Sequence, residues 1–273
     1  MNSVIVSGGF DDIKSKHIRF LYEAAKLGEV HVELWSDETV SMLTGNAVKF
    51  SEAERIYFLQ AIRYVKNISV VKNEAGADTL VGADNEKNAV WAVNETDENS
   101  QKKAFCKTNG LKYHVVRDQD IQGFPLTNPD IVQGLSSVKK VVVTGCYDWF
   151  HSGHVRFFEE VSELGDLYVV LGSDRNVKLL KGEGHPLFPQ DERRFMVQSI
   201  RYVKQALVSS GTGWMDAEPE IAKIRPDMYA VNEDGDKPDK REFCEKHGLR
   251  YIVLKRTPKK GLPIRQSTNL RGF

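Results

Sequence analysis

The chain has few of the features that settle a protein's class at sight, and each absence excludes something. Only three cysteines occur in 273 residues, too few for a disulfide framework and too widely spaced for a zinc site, so a reducing compartment is expected. No apolar run approaches the roughly 18 residues of a membrane-spanning helix. The opening Met1-Asn-Ser-Val-Ile-Val lacks the basic and apolar regions of a secretion signal. A cytoplasmic protein with no membrane span is expected. Neither sign of charge is in excess: Lys plus Arg and Asp plus Glu both number 38. No global positive field is left to hold nucleic acid, although a local cationic cleft for a small phosphate ligand is still allowed. The Gly-x-Gly-x-x-Gly fingerprint is missing from both candidate strand-turns, which argues against an NAD-binding module. What is present, 41% hydrophobic and 28% charged residues, is the balance of a folded chain rather than a disordered one.

The chain repeats itself. VIVSGGFDDIKSKHIRFLYEAAKLGEV near the start answers VVVTGCYDWFHSGHVRFFEEVSELGDL in the middle, at an offset of 137. Gly8, Asp11, Ser15, His17, Arg19 and Phe20 return as Gly145, Asp148, Ser152, His154, Arg156 and Phe157. After one added residue the offset is 138, and ERIYFLQAIRYVK returns as ERRFMVQSIRYVK with 8 of 13 positions identical. Ala92-Val-Asn-Glu95 and Phe105-Cys106 recur as Ala230-Val-Asn-Glu233 and Phe243-Cys244. A constant offset from first strand to last marks a duplicated domain. Two domains are expected, 1–137 with a terminal linker and 138–273.

Within each copy, short β-branched runs (VIVSG, VVVTG, HVELW, LYVVLG) alternate with helical patterns, of which ERIYFLQAIRYV and DERRFMVQSIRYV are the clearest. Strands separated by helices imply an α/β class: tandem Rossmann-like domains, each a parallel sheet with helices on both faces. On this reading Arg193 and Arg201 lie on one helix, eight residues apart and sharing a face.

The sharpest local pattern is Gly145-Cys-Tyr-Asp-Trp-Phe-His151-Ser-Gly153-His154. A strand ends at a glycine, and two histidines three apart fall where the next helix starts, near the second of them. There the unpaired backbone N–H groups and the helix dipole make an anion site. Gly153, without a Cβ, would let a phosphate approach the backbone. Asp148 could orient an imidazole, help place Mg²⁺ or close an Asx-turn. Tyr147 and Trp149 lie close by, core packing being the simpler use of at least one.

GCYDWFHSGH resembles the histidine-glycine-histidine signature of the cytidylyltransferase-like nucleotidyltransferases. The resemblance implies that His151 and His154 hold the triphosphate of CTP or ATP and stabilise charge on the transferring α-phosphate. Lys178 and Lys181 resemble the family's loop lysines. KRTPKKGLPIRQSTNLRG resembles its closing signature, with Arg256 as the signature arginine and Ser267 and Thr268 as hydroxyls at a helix start, where they serve equally as N-caps. Arg265 adds a multidentate cation. Arg193 and Arg201 fall in an Arg-Tyr-Val segment similar to that of the family's phospholipid-precursor enzymes, and Asn232 and Asp234 in a loop similar to the one that recognises base and ribose.

The resemblance implies attack by a substrate phosphate on the α-phosphorus of a nucleoside triphosphate, with pyrophosphate leaving and Mg²⁺ carried by the nucleotide. No protein metal ligands are expected. KRT and RYV favour CTP. KGEGHPLFPQDER, similar to a loop of heptose-phosphate adenylyltransferases, keeps ATP and a sugar phosphate as the alternative. A regulatory nucleotide-binding protein without turnover is a further alternative.

Copy one departs from the signature. Lys14 and Lys16 replace the first histidine and the glycine, Leu43-Thr-Gly45 replaces the lysine-glycine loop, and FPLTNPD lacks the paired hydroxyls. A non-catalytic first copy, packed on the second as an intramolecular pseudo-dimer, is expected. The tandem arrangement resembles the ethanolamine-phosphate cytidylyltransferase family, with the intact copy here second rather than first. A homo-oligomer stays open. The expected partners are thus a nucleoside triphosphate and a small phosphorylated substrate.

Overall fold

The computed structural model describes residues 2–72, 76–81, 87–125 and 130–267. Contacts divide the chain into two compact units, Met1–Phe124 and Pro125–Phe273. The division precedes the junction at 137/138 given by the repeat, because the connecting segment packs on the second unit. The Val132 N–H donates to Gln205 Oε1 (2.8 Å), the Tyr168 hydroxyl donates to the Val132 carbonyl (2.6 Å), and Ile131 rests on that unit's core.

The first unit contains strands β1 (Ser3–Gly8), β2 (Glu29–Trp35), β3 (Val65–Val71), β4 (Val90–Asn94) and β5 (Lys112–Val116), all parallel, in the order β3-β2-β1-β4-β5. Helices α1 (Ser15–Ala25), α2 (Asp37–Thr44), α3 (Glu52–Ala61) and α4 (Ser100–Asn109) flank the sheet. The second unit repeats the plan. Strands β6 (Lys140–Gly145), β7 (Asp166–Leu171), β8 (Val203–Val208), β9 (Met228–Asn232) and β10 (Arg250–Leu254) are parallel in the order β8-β7-β6-β9-β10. Its helices are α5 (Ser152–Ser162), α6 (Asp174–Lys181), α7 (Gln190–Gln198), α8 (Glu218–Ile224) and α9 (Pro238–Lys246). These are the two Rossmann-like sheets expected from the alternating pattern.

The local causes are repeated too. Val141, Val142 and Val143 of β6 are completely buried, as the central strand of a sheet covered on both faces requires. Gly28 and Gly165 lie 137 apart, and a Cβ on either would come within 2.1 Å of a backbone carbonyl, that of Asn2 or Lys139. The strand that follows each glycine is tied to that same carbonyl, by the N–H of Glu29 or of Asp166.

One expected element is shorter. α3 ends at Ala61 and α7 at Gln198, and Arg201-Tyr-Val-Lys forms a turn that runs into β8. Turn bonds from Ile200 N–H to Val197 O and from Val203 N–H to Ile200 O replace the helical ladder, and Val203 joins the sheet opposite Leu167. Packing of a β-branched residue in the sheet overrides the helical pattern. Arg193 and Arg201 therefore do not share a helical face.

In each sheet the strand order reverses at the first strand. The crevice beyond the carboxyl ends of β6 and β9, and the matching one beyond β1 and β4, is where ligands of open α/β sheets bind.

Candidate active site

At the end of β6 the chain turns through Tyr147, which takes a left-handed conformation (φ 54°), and enters α5 with extended His151 as its N-cap. The helix thus begins at Ser152, two residues before the second histidine. His151 Nδ1 accepts the Gly153 N–H (3.1 Å), which puts the proton of the neutral ring on Nε2. Gly153 makes room for this arrangement, since a Cβ there would stand 2.9 Å from His151 Cε1 and 3.0 Å from Nδ1. Gly145 does the same for the Tyr147 ring, 2.8 Å from the place of its missing Cβ.

The His154 ring stacks on His151 with centroids 3.9 Å apart, stacks on Phe150 and meets Tyr147 edge-on. His151 Nε2 and His154 Nδ1 are buried with no hydrogen-bond partner, an expensive state for polar atoms. Burial, then the nearby Arg256 and Arg265, lowers the His151 pKa to about 3. Burial, then His151, Arg256 and Lys181, pushes His154 well below its ordinary value. Both rings are neutral at pH 7.

A cavity of about 240 Å³ opens beside them at the carboxyl ends of β6 and β9. Gly145, Tyr147, Asp148, Gly153, His154, Lys181, Asn232, Asp234, Arg256 and Ser267 all line it. His151, 3% exposed, is stacked behind His154. Arg256 is held in place by three contacts. Its guanidinium pairs with Asp234 (2.6 Å) and donates to the Arg265 carbonyl (2.9 Å), and its N–H donates to Glu233 (3.1 Å). Arg265 lines a neighbouring groove together with Gly153 and Arg256. The Ser267 hydroxyl donates to the Trp149 carbonyl. Thr268 lies outside the described residues.

Three expected residues stand apart from the cavity. Lys178 is on the exposed side of α6, paired with Glu183 (3.0 Å). Arg201 is exposed in the turn before β8. Arg193 is 1% exposed, and its guanidinium donates to the carbonyls of Phe188, Cys146 and Gly172 and pairs with Asp174. It ties the β6 turn, the end of β7 and the loop before α7 together. Arg55 makes the corresponding contacts to Phe50, Gly9, Trp35 and Asp37 in the first unit. Asp148 does face the cavity, but its Oδ1 accepts the N–H groups of Leu187 and Phe188, as Asp11 accepts those of Lys49 and Phe50.

Lys240, which sequence reasoning passed over, also lines the cavity and donates to the Gly235 carbonyl (3.1 Å). Its signal was available: Lys102, 138 residues earlier, holds the Asp97 carbonyl in the same way.

Among the described residues, no group of three His, Cys, Asp or Glu side chains is placed to hold a metal ion. No described helix is long and apolar enough to cross a membrane.

The cytidylyltransferase-like family profile matches residues 142–270. The chain is 36% identical to the FAD synthase of Ferroglobus placidus over 121 residues, 43% of this chain and 76% of that protein. It is 40% identical to the bifunctional protein HldE of Campylobacter concisus over 98 residues, 35% of this chain and 20% of that protein. Among solved structures, a lipopolysaccharide core biosynthesis protein from Thermoplasma volcanium aligns with a TM-score of 0.38 at 20% identity, covering 45% of this chain and 100% of that one. With its fold written twice and its signature turn intact in the second unit, the chain belongs to the cytidylyltransferase-like family of nucleotidyltransferases.

Proposed function

We propose that the second unit transfers AMP from ATP to the phosphate of a small phosphorylated acceptor, releasing pyrophosphate. The observation that carries this reading is the stacked, neutral histidine pair with unpaired nitrogens, set at a helix start beside a cavity rimmed by Lys181 and Arg256. ATP takes precedence over CTP because of the FAD synthases among the relatives. FAD is an adenylyl group joined to the phosphate of FMN, the two phosphates forming one bridge, so making it requires this kind of transfer.

An acceptor phosphate oxygen forms the new bond to the α-phosphorus, and the bond from that phosphorus to the bridging oxygen of pyrophosphate breaks. The acceptor is already ionised, so no general base is required. The protein's contribution is to hold two anions in line and to neutralise charge as it moves toward the leaving group. Lys181 and Arg256 supply fixed positive charge, the start of α5 adds its dipole, and the histidines supply donors. Mg²⁺ enters with the nucleotide as part of the substrate. Incubation with ATP, CTP, GTP or UTP, Mg²⁺ and a panel of phosphate monoesters that includes FMN and sugar phosphates tests the reading. Pyrophosphate release with ATP and one acceptor is expected. Release only with CTP would overturn the choice of base, and release with none would overturn the activity.

A further inference from the structure

The first unit keeps a cavity of about 260 Å³ at the ends of β1 and β4, the same place and nearly the same size as the second unit's. Its lining, however, has been rebuilt in part. In the second unit the cationic end of the lining comes from Lys181 and Arg256, with Ser267, and the carboxyl end of β9 (Ala230, Val231, Asn232) supplies an uncharged strand wall, which adjoins Arg256 through Glu233 and Asp234. On the reading proposed above, phosphates belong at the cationic end and the nucleoside against the strand wall.

The strand wall survives in the first unit as Ala92, Val93 and Asn94. Lys102 still holds the adjoining loop by the Asp97 carbonyl. The cationic end does not survive. Thr44 stands in the place of Lys181 and Lys16 in that of Gly153. Asp118 takes the place of Arg256, its N–H bonded to Glu95 (2.8 Å) as that of Arg256 is to Glu233. The charge is reversed at that position, while the lysines at the start of α1, Lys14 and Lys16, do not line the cavity, Lys14 pairing with Asp12 (2.8 Å). A carboxylate, Asp97, also lines the mouth where the second unit has Gly235. Among the described residues lining this cavity, Lys102 is the one cation, and its ammonium is paired with Asp78 (3.1 Å).

The remaining surface is aromatic with a few donors. Phe10, Phe20 and Trp35 contribute rings, and Trp35 occupies the position of Gly172. The Trp35 Nε1–H is buried without an acceptor. The His17 Nδ1 accepts the Lys14 N–H, so its neutral ring carries its proton on Nε2. Apolar walls with a few convergent polar groups suit a planar, uncharged ligand.

We infer that the first unit's cavity binds a purine nucleoside without its polyphosphate, as a non-catalytic site distinct from the transferase cavity. The inference rests on the adenylyl reading of the second unit, whose cavity defines which end is which.

Photolabelling of the full chain with 8-azidoadenosine, followed by peptide mapping, tests it. Label is expected on first-unit peptides containing Phe10, Trp35 or Asn94. It should persist in the Lys181→Glu/Arg256→Glu variant, be displaced by adenosine, and be unaffected by tripolyphosphate. Asn94→Leu should cut first-unit labelling about tenfold, with ATP-dependent pyrophosphate release unchanged. As a second probe, Ala77→Phe should block the same labelling by filling the cavity. Label confined to second-unit peptides, no specific label, or displacement by tripolyphosphate would overturn the inference. Pyrophosphate release without first-unit label refutes this inference alone; specific first-unit label without pyrophosphate release from any triphosphate refutes the transferase reading alone.

Discussion

Replacing Gly153 by alanine separates what the signature glycine does for the fold from what it does for the site. In a helix, alanine is ordinarily better than glycine by about 0.5–1 kcal/mol. Here the new Cβ would stand 2.9 and 3.0 Å from the His151 ring, against 3.4–4 Å for ordinary contact. The ring must swing away, breaking its bond from the Gly153 N–H, a helix cap worth about 1 kcal/mol. The two terms oppose each other, so the melting temperature should shift by no more than about 2–4 °C. The site loses more. Displacing His151 undoes its 3.9 Å stack on His154 and, on the proposed reading, misplaces a donor to a charged phosphate, a loss of about 1.5–3 kcal/mol. The specificity constant for ATP should therefore fall roughly 10- to 150-fold. Thermal melts and pyrophosphate release on the same preparation decide the matter. Turnover within about threefold of wild type, at an unchanged melting temperature, would refute the reasoning.

Two further outcomes follow from the same geometry. Arg193→Met should destabilise the second unit, and Arg55→Met the first, each by about 3–5 kcal/mol, because each leaves three main-chain carbonyls without the donor of a buried guanidinium, besides freeing an exposed carboxylate; a variant with an unchanged melt but lost ATP binding would show instead that Arg193 contacts the ligand. The depressed His151 makes stability depend on acid: with a folded pKa of about 3 against 6.5 unfolded, its contribution is complete above pH 6.5 and is lost as pH falls toward 3, at up to about 1.4 kcal/mol per pH unit. Denaturant melts between pH 6.5 and 4 should show a slope about one proton shallower in His151→Gln, and an identical slope would contradict a neutral buried ring.

The sheet plan was legible because its causes are local and repeated. Runs of β-branched residues, the glycines at 28 and 165 and the spacing of the helices appear twice, and so do the strands they dictate. The end of α7 was not legible, since IRYV fits a helical period as well as a turn into a strand, and only pairing of Val203 with Leu167 decides it. The site was legible at the turn, where Gly145, Gly153 and the two histidines come together as the motif suggested. Charge alone did not tell a cavity residue from a structural tie. Arg193 and Asp148 are charged residues near the signature turn, but both recur as Arg55 and Asp11 in the copy that has Thr44 and Asp118 at the positions of Lys181 and Arg256. A residue kept in that copy is more simply a structural tie, and the contacts bear this out. Arg256 fails that comparison in the informative direction: its counterpart, Asp118, has the opposite charge.

That asymmetry is the centre of the account, and paired alanine variants of the two matched histidines measure it most directly. In His154→Ala, ATP-dependent pyrophosphate release should drop by about 10²- to 10³-fold or more, because the ring lining the second cavity is gone. In His17→Ala it should stay at the wild-type rate, since on the proposed reading the first unit turns over no triphosphate. Equal loss in both variants, or a selective loss in His17→Ala, would contradict the claim that the second unit alone carries the chemistry.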